Sequence, residues 1–132
     1  MPGLRLSWHD AAEFDRSSID LLGPDGCLSQ SADNAGLIEP DSLVNTFIEP
    51  LWQSVCDRIN RADFWALFGK RVVELGEPTG QVDIPFFFGR RSNAACEEGA
   101  GRLPKAQPGF SELHRVFEDQ LGLSLPEAGQ ST

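Results

Sequence analysis

Gly3-Leu4-Arg5-Leu6-Ser7-Trp8-His9-Asp10-Ala11-Ala12-Glu13-Phe14-Asp15 is the stretch whose reading decides the fold. Leu4, Trp8, Ala11 and Ala12 recur at helical spacing, so a short helix is expected from Leu4 to about Phe14. Arg5, Trp8 and His9 stand at i, i+3 and i+4, which places a guanidinium, an indole and an imidazole on one helical face. A histidine satisfied beside a core tryptophan would show the same pattern, so the triplet alone leaves both readings open.

Moving outward, residues 15–40 read as an irregular connection containing the turn cluster Gly23-Pro24-Asp25-Gly26. Asp41 is the expected N-cap of a second helix carrying Leu43, Val44, Phe47, Ile48, Leu51, Trp52, Val55, Cys56 and Ile59 in two apolar columns. Pro50 lies inside that run and should kink it. Asn60 is expected to cap a third helix, built on Phe64, Trp65, Leu67, Phe68, Val72 and Val73 and reaching about Leu75. From Gly76 to Gly109 the chain is rich in Gly and Pro around Ile84-Pro85-Phe86-Phe87-Phe88, a connection long enough to mark a site or a structured loop. A fourth helix is expected from about Phe110 to Leu121, with Leu113, Val116, Phe117 and Leu121 inward. There is no internal repeat, and the fold class is mainly α with long loops.

Bulk properties narrow the partners. The 132 residues suit one domain. The net charge of −9 is concentrated in residues 1–49 and argues against nucleic acid, which calls for a basic footprint. It suits a cationic protein partner or plain solubility. No apolar run approaches the ~20 residues that span a bilayer, so a membrane-spanning chain is not expected. Arg5, His9 and Asp10 interrupt any apolar signal region near the N-terminus. Cys27, Cys56 and Cys96 are odd in number and widely spaced, which reads as neither a disulfide framework nor a zinc site. Cys56 falls on an apolar stripe and is expected to be a small buried hydrophobe. A reducing compartment follows as the default.

The stretch 3–15 resembles the distal helix of the intracellular (class I) haem peroxidases, the cytochrome c and ascorbate peroxidase group, with its R-L-x-W-H followed by aromatic-Asp. Further segments match in order. Gly23-Pro24-Asp25-Gly26 is similar to the family's G-P-x-G turn, and Asn34-Ala35-Gly36-Leu37 to its N-A-G-L segment. Glu49-Pro50 resembles the L-E-P-I of the next helix, and Ala62-Asp63-Phe64 with Gly69 the A-D…A-G helix. Ile84-Pro85-Phe86, Gly89-Arg90 and Gly101-Arg102-Leu103-Pro104-Lys105-Ala106 resemble the family's I-P-F…G-R…G-R-L-P-D-A run. Leu113 to Gly122 follows its L-R-x-x-F-x-x-x-G-L helix.

The resemblance covers about residues 3–125 and implies a peroxidase-like distal domain over 1–125, with 126–132 a flexible tail. It implies haem b as cofactor and hydrogen peroxide as substrate. His9 takes the place of the distal base, Arg5 of the distal arginine, Trp8 of the distal tryptophan and Asn34 of the imidazole's partner, with Trp8 and Pro85 as haem contacts. Peroxide must lose a proton from one oxygen and regain it on the other, which a neutral histidine can perform in sequence. Asn34 would fix the tautomer, and the permanently charged Arg5 would stabilise negative charge on the departing oxygen.

The departures carry expectations of their own. The family's proximal histidine segment has no match, and the other histidine, His114, aligns with a surface-helix position. The resemblance therefore implies a distal domain lacking the proximal half, inactive toward peroxide by itself, or a repurposed non-catalytic subunit acting as an adaptor in a larger assembly. A protein partner chain or self-association is expected to cover apolar surface at Trp52, Phe68 and Phe86–Phe88. No metal site is expected: Asp10, Asp15 and Ser17 do not rebuild a calcium cage where Ile19 stands, and Asp10 reads as a solvated or capping carboxylate. An intracellular setting, cytosol or organelle, is implied.

Overall fold

A computed structural model describes residues 2–20, 22–96, 101–105, 109–124 and 126–127. Leu125, where the domain was expected to end, and residues 128–132 of the expected tail lie outside the described residues, as does Ala106. Among the described residues there are helices and loops and no strand, the mainly α fold that the sequence implies.

Helix α1 spans Pro2–Ala11 and packs chiefly on α3, which spans Arg61–Gly76. Its inner face presents Gly3, Leu6 and Asp10. Ser7 Oγ donates to the Trp65 carbonyl at 2.7 Å, a bond between the two helices that Gly69 permits, because a Cβ there would collide with the Ser7 hydroxyl. The core joins Leu6, Leu28, Leu37, Val44, Ile48, Phe64 and Trp65, with Trp52 and Phe68 packed against it. Trp52 and Phe68 are thus core residues, not the uncovered surface expected of them; only Phe87 (78 % exposed) and Phe88 (71 %) of that set face outward strongly.

Asn60 caps α3 as expected, its Oδ1 accepting from the Asp63 amide at 2.9 Å. The second helix differs from its sequence reading. Asp41 caps nothing; the Ser42 hydroxyl accepts from the Asn45 amide instead, at 3.3 Å. A π-helical turn, Val44–Ile48, precedes α2, which spans Glu49–Gln53, and turns follow to Ile59. Pro50 has no N–H to give the Thr46 carbonyl, and the ladder widens just before it, with the Glu49 amide reaching back to Val44. Glu49 then ties α2 to α3, accepting from Trp65 Nε1 at 2.8 Å and pairing with Arg61 at 3.3 Å. Cys56 is exposed on the turns after α2, not buried, because the helix that would have turned it inward has ended.

The long loops are anchored at a few buried points. Asp63 is 2 % exposed and accepts from the Gly89 and Arg90 amides and from the Arg90 guanidinium. Burial alone would raise this carboxyl's pKa, but those donors outweigh it and hold it below the usual range. The last helical segment, α4 at Phe110–His114 continued by a π-helical stretch Arg115–Gln120, closes over the end of α1. There buried Gln120 donates to the Ala12 and Phe14 carbonyls at 2.8 and 3.0 Å, satisfying α1's last acceptors. Cys27 and Cys96 form a disulfide joining the loop after α1 to the loop after α3. That corrects the expectation that these cysteines stay unpaired, and the inference of a reducing compartment, which rested on it, loses its support. No helix among the described residues is long and apolar enough to cross a membrane.

Candidate active site

The helical register of α1 carries Arg5, Trp8 and His9 onto one face, as the spacing requires. The loop that follows doubles back so that a short turn, Ala32–Asn34, lies beside this face, with Ser31 Oγ accepting from the Asp33 amide to start it. His9 Nδ1 and Asn34 Oδ1 are 2.9 Å apart. Asn34 is fully buried and its amide orientation is set from behind: Nδ2 faces the Ser29 carbonyl at 3.0 Å, a group that can only accept. Oδ1 must then face His9, so Nδ1 carries the ring's proton and Nε2 keeps a lone pair. Arg5 Nε donates to that Nε2 at 3.2 Å.

The resulting cavity, about 360 Å³, is lined by Arg5, Trp8 and His9 from α1, by Ala32 and Asp33 from the turn, and by Leu103, Pro104 and Lys105 from the loop before α4. Burial lowers the His9 pKa below its ordinary value and the Arg5 guanidinium lowers it further, against the opposing pull of Asn34 and Asp33. The imidazole is therefore neutral at pH 7, with a lone pair facing a cation inside a cavity. That is a proton acceptor beside a fixed positive charge.

Arg5, Trp8, His9 and Asn34 are thus brought together. Pro85 is not part of their cavity; it lines a second one, about 300 Å³, with Ile84, Phe86, Gly69 and Lys70, and the two cavities share only Trp8. Phe117 stacks on the Trp8 ring, centroids 5.2 Å apart and planes within 19°. His114 lies on α4 and pairs with Glu118 at 2.8 Å, a surface-helix arrangement. Among the described residues no group of three or more His, Cys, Asp or Glu stands together as a metal-ligand set.

Two features escaped the sequence reading. Pro104 and Lys105 reach the His9 cavity from almost a hundred residues away; their segment matched a family motif, but nothing in its spacing pointed at His9. Behind Asn34 lies Glu13, 1 % exposed, accepting from Asn34 Nδ2 at 3.3 Å and from Ser29 Oγ at 3.1 Å. Asp10 was also misplaced. It is 1 % exposed rather than solvated, and its carboxylate accepts from the Gly26 and Cys27 amides at 3.0 and 3.2 Å. Gly26 allows this: its φ is +73°, and a Cβ would stand 2.6 Å from the Ala62 nitrogen.

Comparison with known proteins agrees with the motif order. The chain is 37% identical over 126 residues to the cytosolic L-ascorbate peroxidase 1 of rice, Oryza sativa, covering 92% of this chain and 46% of that protein. It is 35% identical over 126 residues to L-ascorbate peroxidase 3 of Arabidopsis thaliana, covering 92% and 40%. A probable peroxisomal L-ascorbate peroxidase 4 of rice matches at 32% over the same span. The chain spans less than half the length of these relatives. No protein-family model matches it.

Proposed function

We propose that this chain, whose likeness to ascorbate peroxidases supports the class I peroxidase family, is the peroxide-activating side of a haem peroxidase. The observation that carries the proposal is the single cavity in which His9, oriented by Asn34 at 2.9 Å, faces Arg5 and Trp8. His9 Nε2 would take the proton of a bound peroxide oxygen and return it to the other, while Arg5 swings from His9 to the oxygen that gains charge. Asn34 keeps the Nδ1–H donated throughout, so only Nε2 exchanges a proton.

The residues present fit one face of a haem. Trp8, Leu103 and Pro104 form an apolar wall, Arg5 and Lys105 add cations suited to propionates, and the Trp8 ring already stacks on a flat partner, Phe117. Bound haem would supply the iron at which the O–O bond breaks. The iron's axial ligand would come from residues outside this sequence, because its histidines are His9, facing the peroxide side, and His114, paired with Glu118. The activity in this reading belongs to the assembled protein, with the axial side supplied by further chain or by a partner, and an intracellular setting is part of the proposal.

A second reading, a non-catalytic peroxidase-like adaptor subunit, draws on the exposed Phe87, Phe88 and Phe110, which suit a protein surface. One experiment separates the two. Haem is added to the purified chain with and without imidazole to stand in for the axial ligand, then peroxide and a reducing dye. Turnover is expected only with imidazole, and to fall by about 10²–10⁴-fold in His9→Leu. Turnover that is the same in His9→Leu would refute the assignment of His9 and favour the adaptor.

A further inference from the structure

We propose that Glu13 is a positioning residue for His9, its carboxylate acting through the Asn34 amide to orient the imidazole and to strengthen it as a proton acceptor. The proposal rests on the reading of His9 as the base. Nothing in the spacing of the sequence marks Glu13: it stands one turn beyond His9, just past the end of α1, where a carboxylate would ordinarily be solvated. The structure buries it to 1 % exposure and gives it no cation among its side-chain partners. A buried carboxylate kept there without a countercharge calls for a reason, since burial disfavours its charged form.

The donors that hold it supply that reason. Asn34 Nδ2 donates to Glu13 Oε1 at 3.3 Å, Ser29 Oγ donates to the same oxygen at 3.1 Å, and Asn34 Oδ1 on the far side of the amide meets His9 Nδ1 at 2.9 Å. The three side chains form one line, imidazole to amide to carboxylate. A negative acceptor on Nδ2 polarises the amide, makes Oδ1 a stronger acceptor, and so favours the imidazolium that exists once Nε2 has taken a proton. No proton passes to Glu13; the Nδ1–H stays on the ring before and after. The other charges facing His9 are Arg5 at 3.2 Å, which opposes protonation, Asp33, which favours it, and Lys105 across the cavity. Those facing Glu13 are Asp25, of like sign, and Arg102, which binds the Glu13 backbone carbonyl at 2.8 Å.

The test is an NMR titration of the His9 ring in the full chain, in a His114→Asn background that leaves one imidazole. It needs neither haem nor peroxide, so it can succeed or fail independently of the peroxidase reading. Glu13→Gln, which preserves shape and loses charge, should lower the His9 midpoint by roughly half a pH unit or more. Glu13→Asp, which keeps the charge, should restore most of that shift and shows that an effect in Glu13→Gln is not a folding defect. In an Asn34→Ala background the Glu13→Gln shift should fall to less than half, as expected when the coupling runs through the amide. An unchanged midpoint in Glu13→Gln, or a full shift that survives Asn34→Ala, would overturn the proposal.

Discussion

His9 and Asp10 are neighbours on α1 and enter two unlike environments. His9 turns to a cavity lined by Arg5 and Lys105; Asp10 turns inward to the loop at Gly26 and Cys27, beside a second buried carboxylate, Asp25. Burial acts first on both, and in opposite directions: it lowers the imidazole's pKa and raises the carboxyl's, Asp10 being pushed up to about 8 with the Asp25 charge adding to the rise. Each group is thereby driven toward its neutral form. The neutral histidine keeps a lone pair at an opening and can exchange a proton. The neutral aspartic acid shares the Cys27 amide with Asp25, whose Oδ2 has no donor of its own except a proton between the two carboxyls. The same desolvation thus prepares a base on one side of α1 and a structural acid pair on the other.

Reducing the Cys27–Cys96 bond should have the largest effect on this contrast. The bond closes a loop with a sequence separation of 69 and holds the amide that serves both aspartates. Its loss should destabilise the chain by about 2–5 kcal/mol, read from denaturant unfolding with and without reductant. The His9 side should lose far less, so the His9–Asn34 contact, followed by the ring's NMR signals, should persist in the reduced folded state. Simultaneous loss of both would erase the distinction between the two sides.

Asp10→Asn sharpens it further. An aspartate whose pKa is about 8 in the folded chain, against 3.8 ordinarily, holds a proton that the unfolded chain releases. Its contribution to stability is complete below pH 4 and is lost as pH rises toward 8. Asparagine needs no such proton and can donate to Asp25 directly. The difference in unfolding free energy between Asp10→Asn and the parent should therefore grow in the variant's favour, by roughly 2–4 kcal/mol from pH 4 to pH 8. A difference that stays flat with pH would mean the pair shares no proton. The smallest expected effect is on the cavity side. Arg5→Ala removes the cation that lowers the His9 pKa, so the ring's midpoint should rise by a fraction of a pH unit, with stability nearly unchanged because Arg5 is exposed.

Much of the architecture was legible in the residues because it is local. The i, i+3, i+4 spacing of Arg5, Trp8 and His9 fixes a shared face once α1 forms, whatever surrounds it. Asn60 caps α3 through a bond three residues away, and Gly23-Pro24-Asp25-Gly26 announces its turn through backbone chemistry alone. The order of family motifs added Asn34, whose meeting with His9 no spacing rule would have supplied.

What only the tertiary structure decided are the properties that depend on where distant loops meet. Whether Asp10 is wet or dry depends on the 22–27 loop closing over it, and whether Cys27 finds Cys96 depends on two loops 69 residues apart. The replacement of Pro85 by Pro104 at the His9 cavity, and the burial of Glu13 behind Asn34, are likewise outcomes of packing. Helical periodicity is a property of a few consecutive residues; burial, and with it every shifted pKa at this site, is a property of all the surfaces that close upon a side chain.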